Sequence, residues 1–165
     1  MNFTDSSVVN VRASSSASLM TTTGGVEASL QILYQWDLAR RDIVKTAATF
    51  FDLQWPNTDP PADDLREFAT ALARDTTERL DEIDPLIADT AERWRPERMA
   101  ILDRLILRMA ICEMLRDAST PPVVVINEAL ELARTFTTEE SVKFINGMLD
   151  AIRKKIETRT QSRFL

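Results

Sequence analysis

Few residues in this sequence have the types and spacing that catalysis needs. Among 165 residues there is no histidine and a single cysteine, Cys112. That excludes imidazole acid/base catalysis, Ser-His triads, Cys-rich zinc sites and the commonest nitrogen metal ligand. A reaction would have to run on a Ser-Lys pair, a carboxylate pair or a thiol without its usual base, and no spacing signals one of these. Asp103 and Glu113, or Glu128 and Glu131, could bring carboxylates together on helices, but bundle-type metal sites add an i, i+3 histidine that this chain lacks. These acids read as a solvated face, with no metal and no cofactor expected. Gly24-Gly25 leads into Val26-Glu27 rather than Gly-Lys-Ser/Thr, so no phosphate-cradling loop is present.

Binding is the better class, and charge indicates where. The net charge is −6, from 20 Lys+Arg and 26 Asp+Glu. The acidity is concentrated in residues 61–100, with 6 basic against 11 acidic, whereas residues 101–165 carry 10 against 9. In that second part Arg104 and Arg108 stand at i, i+4, Lys143 adjoins Phe144, and Arg153, Lys154, Lys155, Arg159 and Arg163 make a basic end. Cations beside aromatic rings suit single-stranded RNA, where they meet phosphates while rings stack on bases. The helix dipole and solubility alone would also place basic residues this way.

The elements that must position these residues follow from apolar spacing. Residues 1–25 contain 12 Ser, Thr or Gly and only Asp5 and Arg12 as charges, which predicts a disordered tail. Met20, just before the patterned region, is an alternative translation start. Helical periods predict helices over about 26–41, 43–53, 63–80 and 81–94, with a loop through 54–62 set by Pro56, Pro60 and Pro61. Residues 97–115 are apolar nearly all round, the mark of a central helix, with Cys112 inside that run. Val123 to Phe136 and Thr137 to Ile156 supply the last two helices, the latter opened by a Thr137/Glu140 capping box. The basic residues 157–165 read as a C-terminal tail. The charges within Ile101–Leu115 make it too short and too polar for the ~18 apolar residues of a membrane span, and the N-terminus shows no signal-peptide core. The fold class is all-α: a compact bundle of about seven helices, with one domain over 26–156.

Five segments then stand out in order: Leu33-Tyr34-Gln35-Trp36-Asp37; Trp94-Arg95-Pro96-Glu97-Arg98-Met99; Asp103 to Ala110 (DRLILRMA); Val124 to Ala133 (VVINEALELA); and Lys143 to Asp150 (KFINGMLD). At this spacing the chain resembles the NusB transcription antitermination factors, over about residues 26–155. The resemblance implies two small helical subdomains sharing a long central helix and a non-enzymatic role in the cytoplasm. It also implies binding of the boxA element of nascent single-stranded RNA together with NusE, the ribosomal small-subunit protein. That assembly acts on the RNA polymerase elongation complex with other Nus factors, so that ribosomal RNA operons are read through.

Carried over by position, the RNA-facing residues implied are Tyr34, Asp103, Arg104, Arg108, Phe136, Glu140, Lys143 and Phe144. The aromatics would stack, the cations would meet phosphates or base edges, and Asp103 or Glu140 would accept from exocyclic amines. Phe136 and Phe144 also sit at core-like spacings. Asn127 and Asn146 read as amides that cap or bridge helices, and Gly147 as a residue permitting close helix approach. Relatives of this type carry an arginine-rich run before the first helix, where this chain reads Thr22-Thr23-Gly24-Gly25-Val26-Glu27; Val142 and Cys112 depart from a usual histidine and aromatic. Fewer phosphate contacts predict weak RNA binding by the chain alone and greater dependence on its partner. Two other readings compete: a protein-interaction module that has lost RNA affinity, or a fragment of a NusB-domain RNA methyltransferase. Monomer and homodimer both fit the pattern.

Overall fold

The structure, a computed structural model, describes residues 24–53, 63–91 and 96–164. The reading of residues 1–23 as a tail, the Met20 start, the 54–62 loop and the break at Trp94-Arg95 lie outside the described residues. Seven α-helices and one 3-10 turn are described, and no strand among them. Helix α1 covers residues 24–39. It is followed by α2 (Ile43–Leu53), α3 (Asp63–Glu78), α4 (Leu80–Thr90), the turn Pro96–Arg98, α5 (Ile101–Arg116), α6 (Pro122–Phe136) and α7 (Glu139–Ser162).

Helix α5 is the centre, as its apolar circumference requires. Leu105, Ile106, Leu107, Met109, Ala110 and Ile111 are all buried, and α3, α4, α6 and α7 pack around it. On one side α5, α6 and α7 form a three-helix unit, closed by Val125, Ala129, Ile145, Leu149 and Ile152. On the other, α2 packs on α3 through Phe50 and Phe51, whose rings meet edge to face with centroids 5.1 Å apart. Such an aromatic pair adds about 0.5–1.5 kcal/mol beyond its buried area. Cys112 is fully buried beside Thr76 of α3, and burial pushes its thiol pKa up.

Several local expectations change. Gly24 and Gly25 are helical and belong to α1 rather than to a tail. A Cβ on Gly25 would lie 2.4 Å from Cδ1 of Phe68, so the missing side chain lets α1 approach α3. The close-approach reading of Gly147 fails, since a Cβ there would meet nothing within 4 Å. Asn127 and Asn146 are exposed rather than bridging helices. The cap of α7 is Thr138, whose side chain accepts from Ser141 N, while Thr137 Oγ1 donates to Ala133 O and closes α6. The N-cap to N3 geometry selects the second threonine. Helix α7 runs to Ser162 and, at 24 residues, is longer than the 16-residue α5. Residues 157–162 are thus helix, held by Arg153 Nη1 on Glu157 and by Thr158 and Thr160 hydroxyls donating one turn back.

Candidate nucleic-acid interface

Adjacent residues on a helix differ by about 100° in direction, and α5 uses this to build two sites. Arg104 and Arg108, one turn apart, face a cleft of about 640 Å³ formed with α4 and the end of α1. Asp37 on α1 receives Arg104 at 3.2 Å and Arg40 at 3.4 Å. Arg40 closes α1 with a left-handed backbone (φ 52°), and its guanidinium lies 4.7 Å from the Trp36 ring centroid. Arg108 makes a two-pronged pair with Asp84 of α4, Nε to Oδ1 and Nη2 to Oδ2, both at 2.8 Å. This planar fork is what a guanidinium does best with a carboxylate. The arginines expected to face RNA are therefore also the clamps that fasten α1 and α4 to the central helix.

Asp103 points to a different side, into a groove of about 270 Å³. Its floor is Met99, Ala100 and Asp103, and its far wall is the first turns of α7, with Thr138, Glu140, Ser141 and Phe144. Ser141 Oγ donates to Asp103 Oδ2 at 2.9 Å, fixing the carboxylate, while Oδ1 is buried and has no hydrogen-bond partner. A buried acceptor in that condition costs free energy until a donor reaches it. Phe144 is half-buried against the core and lines the groove edge. Glu140 and Lys143 are exposed, and Lys143 makes no ion pair among the described residues.

The eight expected residues thus fall into groups. Asp103, Glu140 and Phe144 share the groove, with Lys143 on the same first turns of α7. Arg104 and Arg108 share the cleft. Tyr34 is 39% exposed on α1, and Phe136, at the end of α6, is half-buried against the core. Sequence reasoning missed Arg98 and Ser141 in the groove and Arg40 in the cleft. Arg98 stands inside a segment already singled out, so its signal was present; Ser141 carried none. At the basic end, Arg153 and Lys154 pair with Asp150, and Lys155 Nζ donates to Thr90 Oγ1 of α4, so much of that charge is spent within the protein.

The helical scaffold thus presents a largely apolar groove carrying one fixed carboxylate, together with an exposed cation at Lys143 and an exposed ring at Tyr34. The chain belongs to the NusB family, whose model matches residues 27–154. It is 44% identical over 128 residues to the transcription antitermination protein NusB of Solibacter usitatus, covering 78% of this chain and 85% of that one. The protein of the same name from Koribacter versatilis is 40% identical, with 83% and 91% covered. Among solved structures, T. maritima NusB superposes with a TM-score of 0.71 at 32% identity, covering 81% of this chain and 90% of that one. A crystal structure of the antitermination factors NusB and NusE in complex with double-stranded RNA shares the fold, with a TM-score of 0.68 at 24% identity, covering 82% and 98%. Among the described residues no helix is long and apolar enough to cross a membrane.

Proposed function

We propose that this chain is a transcription antitermination factor, a non-enzymatic cytoplasmic adaptor that binds boxA-type single-stranded RNA together with NusE. In this reading it joins the RNA polymerase elongation complex with other Nus factors, promoting read-through and ribosomal RNA synthesis. The observation that carries the reading is the family match over residues 27–154, together with relatives named for antitermination. The groove supports it chemically. Arg98 brings a cation to its lining, the Asp103 carboxylate an acceptor and Phe144 a ring edge, while Lys143 stands exposed on the same first turns of α7 and Tyr34, on α1 outside the groove, presents a ring to an unstacked base. Glu140 adds a second acceptor and Phe136 a ring edge at the α6–α7 corner. Arg104 and Arg108 act mainly by holding the surface in shape, because Arg104 Nη2 engages Asp37 and Arg108 Nε and Nη2 engage Asp84.

The test is a titration of a boxA-type RNA with the full chain, with and without NusE, at two salt concentrations. Weak binding alone, strengthened by NusE, is expected, with a shallow salt slope because each neutralised phosphate contributes only about 0.7 to it for single strands. Failure to bind even with NusE would overturn the RNA reading. The engagement of both α5 arginines favours a second reading, a protein-interaction module without RNA affinity. Lys143→Glu separates the two: it weakens RNA crosslinking in the first and leaves both crosslinking background and NusE pull-down unchanged in the second.

A further inference from the structure

The side of the bundle where α1, α5 and α6 meet holds a feature that the RNA-binding surface does not use. Glu113 of α5 and Glu128 of α6 line one narrow cavity, walled by Val26 of α1 and by Met109, Val125 and Leu132. Neither carboxyl has a hydrogen bond or ion pair among the described residues. Glu128 also lines a wider pocket of about 300 Å³ with Glu27, Asn127 and Glu131, which gives the pair a route to solvent.

The charges around the pair do not neutralise it. Those acting on Glu113 are Glu128 from α6 and, from the end of its own helix, Arg116 and Asp117. Arg116 is committed elsewhere, its Nη1 donating to Asp75 of α3 at 2.7 Å. Helix α1 presents the apolar Val26 to the cavity and the acidic Glu27 to the wider pocket, and α7 contributes no residue to either lining. Two carboxyls that share an apolar space without a neutralising cation hold on to a proton, because the doubly charged state suffers both desolvation and like-charge repulsion.

We propose that Glu113 and Glu128 form a proton-operated latch: with a proton in the pair the start of α1 packs on α5 and α6, and ionisation of both carboxyls loosens that seam. The residues on α1 that bear on RNA binding, Tyr34 and Asp37, lie further along the same helix, so the latch couples pH to the geometry of that surface. Its range follows from the shifts. Burial, then the Glu128 charge, pushes the Glu113 pKa from 4.5 up to about 7, and burial raises that of Glu128 as well. A group whose pKa is raised in the folded protein contributes stability that is complete below the unfolded value and lost as pH climbs through the folded one. Stability therefore falls between about pH 4.5 and 7 and levels off above.

The experiment is urea unfolding of the full chain from pH 5 to pH 8, comparing wild type with Glu113→Gln and Glu128→Gln. For wild type the folded-to-unfolded ratio should drop by a factor of about 50 across that range. Glu113→Gln should remove most of the drop, and Glu128→Gln should shift it to lower pH. Hydrogen exchange provides a local reading, with amides of residues 26–33 losing protection as pH rises from about 5 to 7, beyond the intrinsic rate, and changing little above, in wild type but not in Glu113→Gln. An unchanged pH profile in Glu113→Gln overturns the latch. Should the variants not fold, carbon-13 titration of the glutamate carboxyls in wild type decides: titration near neutrality upholds the proposal, and titration of both near 4.5 overturns it.

Discussion

Replacing Arg108 by methionine separates a structural role from an RNA-contact role. Methionine keeps an apolar stem of similar reach while removing the two 2.8 Å bonds to Asp84. The arginine side chain is 9% exposed and the aspartate 33%. Breaking a fully buried pair costs about 3–5 kcal/mol, whereas an exposed pair is worth about 0–1. Asp84 can rehydrate partly once its partner is gone, so about 2–3 kcal/mol is expected for Arg108→Met. At about 2–4 °C per kcal/mol for a domain of this size, the unfolding midpoint falls by about 4–12 °C. Urea unfolding at pH 7 of Arg108→Met, Asp84→Asn and the double variant gives the coupling directly, and it should exceed about 1 kcal/mol. Below the unfolding transition the methionine variant should keep its affinity for boxA-type RNA in the presence of NusE, with an unchanged salt slope. A variant of wild-type stability whose salt slope drops would refute the reasoning, because Arg108 would then be spending its charge on a phosphate.

Lys143→Ala should do the reverse, lowering the slope of log K against log salt by about 0.7 in an anisotropy titration while changing stability by less than about 0.5 kcal/mol. The glycines should respond with opposite signs. Gly25→Ala forces a methyl against Phe68 and should lose about 1–3 kcal/mol to overpacking, less what helix propensity returns, whereas Gly147→Ala has open space and should gain about 0.5–1 kcal/mol in thermal or urea unfolding. Thr138→Ala removes the cap on Ser141 N and should cost about 1 kcal/mol.

The helices were legible because their information is local. The all-round apolar run that marks α5, the proline-bounded α2 and the α6 stripe of Val125, Ala129, Leu132 and Ala133 each sit within one window, and each is buried as its period requires. Local signals also misled. Thr137 and Thr138 offer the same hydroxyl one residue apart, and only the path of the chain out of α6 decides which caps α7. Residues 157–162 lack an apolar stripe, so nothing in their pattern shows that α7 continues on side-chain bonds along its own length. The candidate surface was legible by residue type but not by arrangement. That Asp103 and Arg104 serve different concavities follows from helix geometry, but the partners that fill each one are remote: Asp37 is 67 residues from Arg104, and Ser141 is 38 from Asp103. That Glu113 and Glu128 line one cavity from two helices is likewise invisible in a sequence where both acids read as solvated face.

The buried Cys112 makes the protein convenient to instrument. It is the chain's one thiol, fully enclosed and held in its unreactive neutral form by burial. A reagent can alkylate it only when the central helices part, so the time course of its modification would count openings of the interior without any substitution. A second cysteine introduced at an exposed position outside the groove, as in Arg159→Cys, would be labelled long before it. A dye could then be carried on the surface while the wild-type core stays intact beneath.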